Sequence, residues 1–195
     1  MLDTGLTSSG VVDFPGNYLA QAIRRTRDAG GLFIADEVQT GFCRTGSFFA
    51  VDAAGVNPDI LTMGKGIAGG FPFAAFAVSD AVAAGIQKGD HGGTYCGNPL
   101  GCAVAESVLD FLQANKIADR ARSMGATIVQ RLADLPAQFP EQVSTLRGSG
   151  LLIGIQMHSD AQVAALTSVC LDLGLFVPPT RNAALGLIPS LLGRA

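Results

Sequence analysis

The sequence predicts an α/β fold, with a mainly parallel sheet flanked by helices and a smaller α+β unit at the C-terminal end. Three observations predict it. Apolar runs at 32–35 and 60–63 end in charged or glycine-rich positions, as buried parallel strands do. Helical periodicity precedes the first run and returns after Pro99. Beyond Pro140 the pattern changes to short strands interrupted by glycines.

Composition limits the class of protein. A length of 195 residues suits one domain or slightly more, and 48% apolar residues with a mean hydropathy of +0.36 predict extensive burial. The net charge of −3 predicts no nucleic-acid partner. No apolar run is long enough to span a membrane, and no signal peptide opens the chain. Four scattered cysteines and two distant histidines predict a cytoplasmic protein without a metal site.

The first half carries the elements of the predicted parallel sheet. Residues 1–16 are rich in glycine and serine and predict a loop, and we expect the strand before the first helix to be absent. The remaining elements follow in order. They are a helix from Pro15 to Asp28, a strand at 32–35, a short helix at 47–55, a strand at 60–63, a third buried strand at 73–78 and a short helix at 79–86 capped by Ser79.

The second half begins with a polar, glycine-rich loop at 87–98 that holds His91, Thr94 and Tyr95, and long loops of this kind are often functional. Its elements are a helix from Pro99, a helix at 117–135, a strand pair at 143–157 turning near Gly148 and Gly150, a helix at 161–173 and a strand at 175–177. This order predicts a large domain at 1–115 and a small one at 116–195.

Two strand ends carry opposite charges. The first apolar run is followed by Asp36 and the second by Lys65, between two glycines. Because ligands bind beyond the carboxyl ends of parallel strands, both groups could face one crevice. A lysine in a pocket of low polarity becomes a nucleophile that can form a Schiff base.

Two other interpretations fit the same residues. A lysine that ends a turn would show this spacing as well. Gly64, Gly66 and Gly69 also match the G-x-G-x-x-G spacing of a dinucleotide site, which requires a helix to open within the motif. The Phe-Pro-Phe run at 71–73 argues against that helix.

Three runs together resemble the class III pyridoxal-phosphate-dependent aminotransferases. They are DEVQTGFCRTG at 36–46, NPDILTMGKGIAGGFP at 57–72 and GGTYCGNPLGCA at 92–103. The resemblance extends from about Ser9 to the end and covers roughly the second half of a family chain. It implies part of a fold-type I large domain, the small C-terminal domain, and a chain truncated at its N-terminus.

The resemblance implies a role for five residues. Lys65 is similar to the Schiff-base lysine, and Asp36 to the carboxylate that pairs with the pyridinium nitrogen. Val38 and Gln39 match cofactor contacts, the latter at the ring hydroxyl. Thr94 resembles the threonine that reaches the cofactor phosphate of the neighbouring subunit in a homodimer, although an ordinary loop hydroxyl would look the same. The implied cofactor is pyridoxal 5'-phosphate, an electron sink whose electronics the protein tunes.

The sequence departs from the family pattern at two positions. The family has an arginine near its C-terminus that clamps the substrate carboxylate, whereas Gly186 occupies that place here. Arg181 and Arg194 are nearby but do not match the motif. Cys43 stands where the family commonly has glycine, and we expect it to be a small buried thiol with a negative φ.

Three hypotheses remain open from the sequence. The first is an aminotransferase that uses an amino acid or amine as donor and a keto acid or aldehyde as acceptor. The second is an aminomutase or amine transaminase, which would explain the lost arginine. The third is a catalytically inactive fragment that at most binds a full-length homologue.

Overall fold

The computed structural model describes residues 1–4 and 10–193. Its strands are β1 (Leu2–Asp3), β2 (Ile34–Asp36), β3 (Ile60–Met63), β4 (Ala75–Val78), β5 (Val143–Ser149), β6 (Leu152–Met157), β7 (Pro179–Thr180) and β8 (Ala184–Leu187). Its α-helices are α1 (Tyr18–Asp28), α2 (Ala50–Ala53), α3 (Asp80–Ala83), α4 (Pro99–Ala114), α5 (Ile117–Leu132), α6 (Leu135–Gln138) and α7 (Asp160–Asp172). A 3₁₀ helix spans Lys65–Ala68.

Two four-stranded sheets form the framework. The first has the order β1-β2-β3-β4, in which β1, β2 and β3 are parallel and β4 is antiparallel. The second has the order β5-β6-β8-β7 and is antiparallel. The predicted α/β class, with a mainly parallel sheet and a small α+β unit, is therefore confirmed. The predicted division at 115/116 stays a prediction, and it falls between α4 and α5.

The strand before α1 is present, which corrects two expectations. The sequence predicts a loop over 1–16, yet Leu2–Asp3 form β1 and pair in parallel with Ala35 and Asp36. The β1–α1–β2 crossover is thus complete in this chain, and β2 is not an edge strand. A two-residue strand is too short to show a hydrophobic pattern, and it exists through its pairing alone. Residues 5–9, part of the predicted loop, lie outside the described residues.

Two further strand predictions are wrong. The run at 73–78 was expected to be buried, but β4 is an edge of the described sheet and the Phe76 side chain is 52% exposed. The predicted strand at 175–177 does not form. The chain instead pairs later, at β8, because β6 has a free edge that pairs with Ala184–Leu187.

The helices α1, α2 and α3 are shorter than predicted. Ser79 caps α3 as expected, accepting the Val82 N–H at 3.5 Å.

The small unit contacts the large one through the β5–β6 turn, which packs closely against α5 of the same unit. In α5, Gly125 lies so close to Gly150 of the β5–β6 turn that an added Cβ would be 2.0 Å from the Gly150 oxygen. Gly150, with φ +55°, packs in turn on Thr45. The backbone N–H of Leu151 donates to the Arg44 carbonyl at 2.9 Å. The small unit therefore rests directly on the turn that follows β2.

Candidate active site

The carboxyl ends of β2 and β3 lie at the same edge of the first sheet. Their parallel register pairs Ile34 with Ile60 and Asp36 with Thr62. Asp36 is the last residue of β2, and Lys65 follows the end of β3 by two residues. The expectation that a carboxylate and an amine leave neighbouring strands at one edge thus agrees with the register.

Asp36 has one carboxylate oxygen fixed. Its Oδ1 accepts the Val38 N–H at 3.0 Å, and its backbone carbonyl accepts two hydrogen bonds from Thr4. Within residues 1–4 and 10–193, Oδ2 has no hydrogen-bond partner. The carboxylate is therefore held by the backbone while one oxygen stays available to a ligand.

Lys65 has an unusual backbone. Its φ is +47°, in the left-handed region that non-glycine residues seldom adopt, and its side chain is exposed. Such strain persists only where the surrounding structure imposes it, and it is common at functional sites. The glycines on either side pack on the turn after β2, since a Cβ on Gly64 would be 3.4 Å from Val38 and one on Gly66 would be 3.1 Å from Phe42. The turn after β2 and the segment around Lys65 are therefore in direct contact.

Of the other predicted cofactor contacts, Val38 packs against the Lys65 turn, whereas the side chains of Gln39 and Thr94 make no hydrogen bond within the described residues. Val38 packs beside Gly64, next to Lys65 in the chain. Gln39 is half-buried and Thr94 is exposed in the loop at 87–98. In the part of the chain that the structure describes, neither side chain makes a hydrogen bond. The structure brings Asp36, Val38 and the Lys65 turn together, and it does not join Thr94 to them.

The role of Glu37 was not predicted from the sequence; this buried carboxylate links the turn after β2 to the start of α2. Its side chain is fully buried and accepts hydrogen bonds from the Thr40 hydroxyl and from the Ala50 and Val51 N–H groups, the latter two at 3.0 and 2.9 Å. Burial raises the pKa of Glu37, against the opposing effect of these hydrogen bonds. The signal was available, since consecutive acids after a strand point to opposite faces. Asp36 faces the edge of the sheet while Glu37 anchors α2.

Cys43 contradicts one expectation and confirms another. It is buried, with 1% of its surface exposed, and burial raises the pKa of its thiol. Its φ, however, is +71° rather than negative. This backbone conformation is the one that glycine adopts freely, so the cysteine sits in a strained position.

The position at which the family has its carboxylate-binding arginine lies within β8 and is occupied by Gly186. Gly186 lies in β8 opposite Gly154, and a Cβ there would meet the Thr180 methyl group at 3.2 Å. Arg181 is exposed, and Arg194, like Ser9, lies outside the described residues.

The described residues contain no cluster of three potential metal ligands. Across 1–4 and 10–193, no helix combines the length and apolar character that crossing a bilayer requires.

Comparison with known proteins decides the family. The family model "Aminotransferase class-III" matches residues 4–194. The chain belongs to the class III aminotransferases. This family transfers amino groups between an amino donor and a keto acid acceptor, and it indicates pyridoxal 5'-phosphate as cofactor.

Similar proteins include several aminotransferases. The acetylornithine aminotransferase of Methanothermobacter thermautotrophicus is 37% identical over 183 residues, covering 94% of this chain and 46% of the relative. The mitochondrial ornithine aminotransferase of Drosophila melanogaster is 41% identical over 188 residues, covering 94% and 42%.

Solved structures agree with this result. An aminotransferase from Bacillus anthracis superimposes with a TM-score of 0.91 at 30% identity, covering 100% of this chain and 48% of that chain. The ornithine aminotransferase of Toxoplasma gondii, whose structure has partial occupancy of PLP, gives 0.87 at 36% identity, covering 94% and 44%. The class III chain described here spans about half the length of the relatives it matches.

Proposed function

We propose that this chain supplies the lysine-bearing half of a class III aminotransferase site, in which Lys65 bonds the cofactor and moves a proton. The observation that carries the proposal is the parallel register of β2 and β3, which brings Asp36 and the Lys65 turn to one sheet edge. The family match over residues 4–194 supports assigning aminotransferase chemistry to that edge.

The donor types at the edge fit pyridoxal phosphate. An exposed amine suits its aldehyde carbon, and a carboxylate with a free oxygen suits a protonated ring nitrogen. Glycines at 64 and 66 leave bare backbone beside the amine, and the buried Thr62 hydroxyl has no hydrogen-bond partner within the described part of the chain. When bound, the cofactor supplies an electron sink for electrons released at the substrate Cα.

Each residue has a defined task in this proposal. Asp36 holds positive charge at the ring nitrogen, because an opposite charge a few ångströms away favours the protonated form. Val38 gives an apolar contact beside the turn, and Gln39 contacts the ring hydroxyl. The Lys65 amine would hold the cofactor as a nucleophile, and the same amine, when free, would act as the base that moves the proton at the substrate Cα.

Thr94 is proposed to donate to the cofactor phosphate of the neighbouring subunit in a homodimer. Its support is the exposure of the loop and of apolar neighbours, since Tyr95 is 83% and Leu100 is 64% exposed. Sedimentation of the chain with cofactor tests the dimer, and Thr94→Val should weaken cofactor binding without removing it.

A cytoplasmic location also stays a proposal, supported by the free cysteines, and some relatives are mitochondrial.

The experiment uses the colour of the lysine-bound cofactor. The chain is mixed with pyridoxal phosphate, and the visible absorption band is titrated for wild type, Lys65→Ala and Lys88→Ala. Lys88 lies in an exposed loop and serves as the matched control. We expect Lys65→Ala alone to lose the band. A colourless wild type, or a Lys65→Ala variant that keeps the band, would favour the inactive fragment.

A second candidate, an amine transaminase or aminomutase, is favoured by Gly186. The Thr180 methyl group and the Ile188 side chain lie nearest to a Cβ added at this position, and glycine itself carries no guanidinium. A bidentate clamp on a carboxylate cannot form there without one. A panel of amino donors distinguishes the candidates, because donors without an α-carboxylate should then react at least as fast as α-amino acids. The relatives' names differ in their amino donors, so the proposal stops at this class.

A further inference from the structure

Thr62 carries a buried polar group without an evident structural role. Its Oγ1 is shielded from solvent and, among residues 1–4 and 10–193, has no hydrogen-bond partner. Buried hydroxyls are nearly always paired, so an unpaired one requires an explanation. Thr62 lies in the middle of β3, where its backbone carbonyl accepts the Glu37 N–H at 3.0 Å. The backbone that carries this hydroxyl is therefore fixed in place by a well-paired strand.

The sheet register limits which group the hydroxyl can reach. Thr62 pairs with Asp36 of β2 on one side and with Phe76 of β4 on the other, and paired residues point to the same face. Along its own strand, the residues on that face are Ile60 and Gly64. Asp36 is the only one of these four neighbours with a side-chain acceptor.

Asp36 in turn has capacity to accept. Its Oδ1 takes the Val38 N–H, and its Oδ2 has no partner among the described residues. A carboxylate accepts up to about four hydrogen bonds. A small rotation of either side chain would join the two groups across neighbouring strands, which lie about 4.8 Å apart.

We propose that Thr62 is a positioning residue for Asp36, donating its hydroxyl to the carboxylate when Asp36 engages a cationic ligand nitrogen. This inference rests on the proposed function, because it concerns the carboxylate assigned to the cofactor ring. The hydroxyl limits rotation of the carboxylate and supports its negative charge, while Oδ2 keeps a lone pair for the ring nitrogen. Thr62 does not touch the reacting atoms and acts only through Asp36.

The proposal makes two measurements move in opposite directions. In the cofactor-free chain the hydroxyl is unpaired, so Thr62→Val should leave stability to urea unchanged or slightly raised, since removing an unsatisfied buried hydroxyl is favourable. In the presence of pyridoxal phosphate, the same variant should bind the cofactor about fivefold more weakly, the loss expected for one hydrogen bond. A purely structural role would lower stability and leave binding per folded molecule unchanged.

The test titrates cofactor into the full chain and follows the visible band and its pH dependence. Thr62→Ser restores the hydroxyl and should recover binding to within about twofold of wild type. Thr167 is the matched control, because its Oγ1 is also buried without a partner, but it lies in α7 of the small unit. Thr167→Val should change neither the band nor its pH dependence.

The outcomes separate the two claims. If wild type and Thr167→Val bind cofactor, Thr62→Val binds more weakly and Thr62→Ser recovers, the inference is supported. If Thr62→Val binds as tightly as wild type while Lys65→Ala loses the band, the inference is overturned and the proposed function stands. If Thr62→Ser fails to recover binding, size rather than the hydroxyl is responsible, which also overturns it. A wild type without any band overturns both.

Discussion

Replacing Gly125 by alanine tests how closely α5 packs against the β5–β6 turn, which in turn rests on the turn after β2. The new Cβ would lie 2.0 Å from the Gly150 oxygen, which is 1.4 Å inside the 3.4 Å at which ordinary contact begins. Gly150 cannot retreat easily, because it already packs against the backbone after β2: a Cβ on Gly150 would lie 2.4 Å from the Thr45 carbonyl carbon. Relief therefore requires a shift of α5 or of the β5–β6 turn.

The size of the effect follows from two opposing contributions. Forcing a methyl group into a filled backbone contact costs about 3 kcal/mol. Alanine in a helix interior is favoured over glycine by about 1 kcal/mol. The expected net loss is about 2 kcal/mol, a large part of the roughly 5–15 kcal/mol that stabilises a typical domain. Urea unfolding followed by circular dichroism measures it directly.

A control on the same helix isolates the steric contribution. Ser123 of α5 is exposed, and Ser123→Ala should change the free energy of unfolding by no more than about 0.5 kcal/mol. If Gly125→Ala were as stable as wild type, or more stable by the helix-propensity difference, the close approach of α5 to Gly150 would be refuted. The dependence of the β2 turn on the small unit would then lose its structural basis.

Three further predictions concern ionisable groups. Burial raises the pKa of Glu37 above its ordinary 4.5, so the folded chain holds a proton more tightly than the unfolded chain. The free energy of unfolding therefore falls as pH rises from about 4.5 to the raised pKa. Glu37→Gln should flatten this fall in urea unfolding measured over that pH range. Hydrogen bonds from Arg27 of α1 and from a backbone N–H lower the pKa of Asp59 below its ordinary 3.8. The ionised carboxylate therefore stabilises the fold above pH 3.8, and this stabilisation is lost as pH falls. Asp59→Asn should remove this acid sensitivity and lower the free energy of unfolding at neutral pH by about 1 kcal/mol. Cys96 and Cys102 should react with a thiol reagent in the folded chain, whereas Cys43 should react only on unfolding, as mass spectrometry would show.

Local signals predicted the elements that local chemistry determines. The proline at the start of α4, the serine cap of α3 and the glycine turn between β5 and β6 all follow from single residues whose backbone preferences are strong. The strands ending at Asp36 and Met63 follow from apolar runs. β1 and β8 were missed because their pairing partners, not their own composition, make them strands. The positive φ of Cys43 could not be predicted, because glycine is the residue whose presence in a sequence indicates a left-handed backbone.

The site shows the same division between local and non-local information. Two strand ends carrying an acid and an amine could be found from the sequence, since each follows its own apolar run. Thr62 could not, because its relevance depends on the register that pairs it with Asp36 rather than with the residue before or after. A one-residue slip would turn every side chain of β3 to the other face.

The structure therefore makes the site depend on residues outside the matching motifs as well as on residues within them. The β1 pairing and the Thr4 hydrogen bonds fix the carbonyl of Asp36, and Glu37 fixes the turn from the buried side. The glycine contact with α5 then holds the end of that turn against the small unit. Because Asp36 and the turn after it are held by contacts outside the motif as well as by Glu37 and Val38 within it, a variant far from the edge can alter cofactor binding while every motif residue remains. Gly125→Ala is such a variant, and a weaker visible band in its folded fraction would demonstrate the connection.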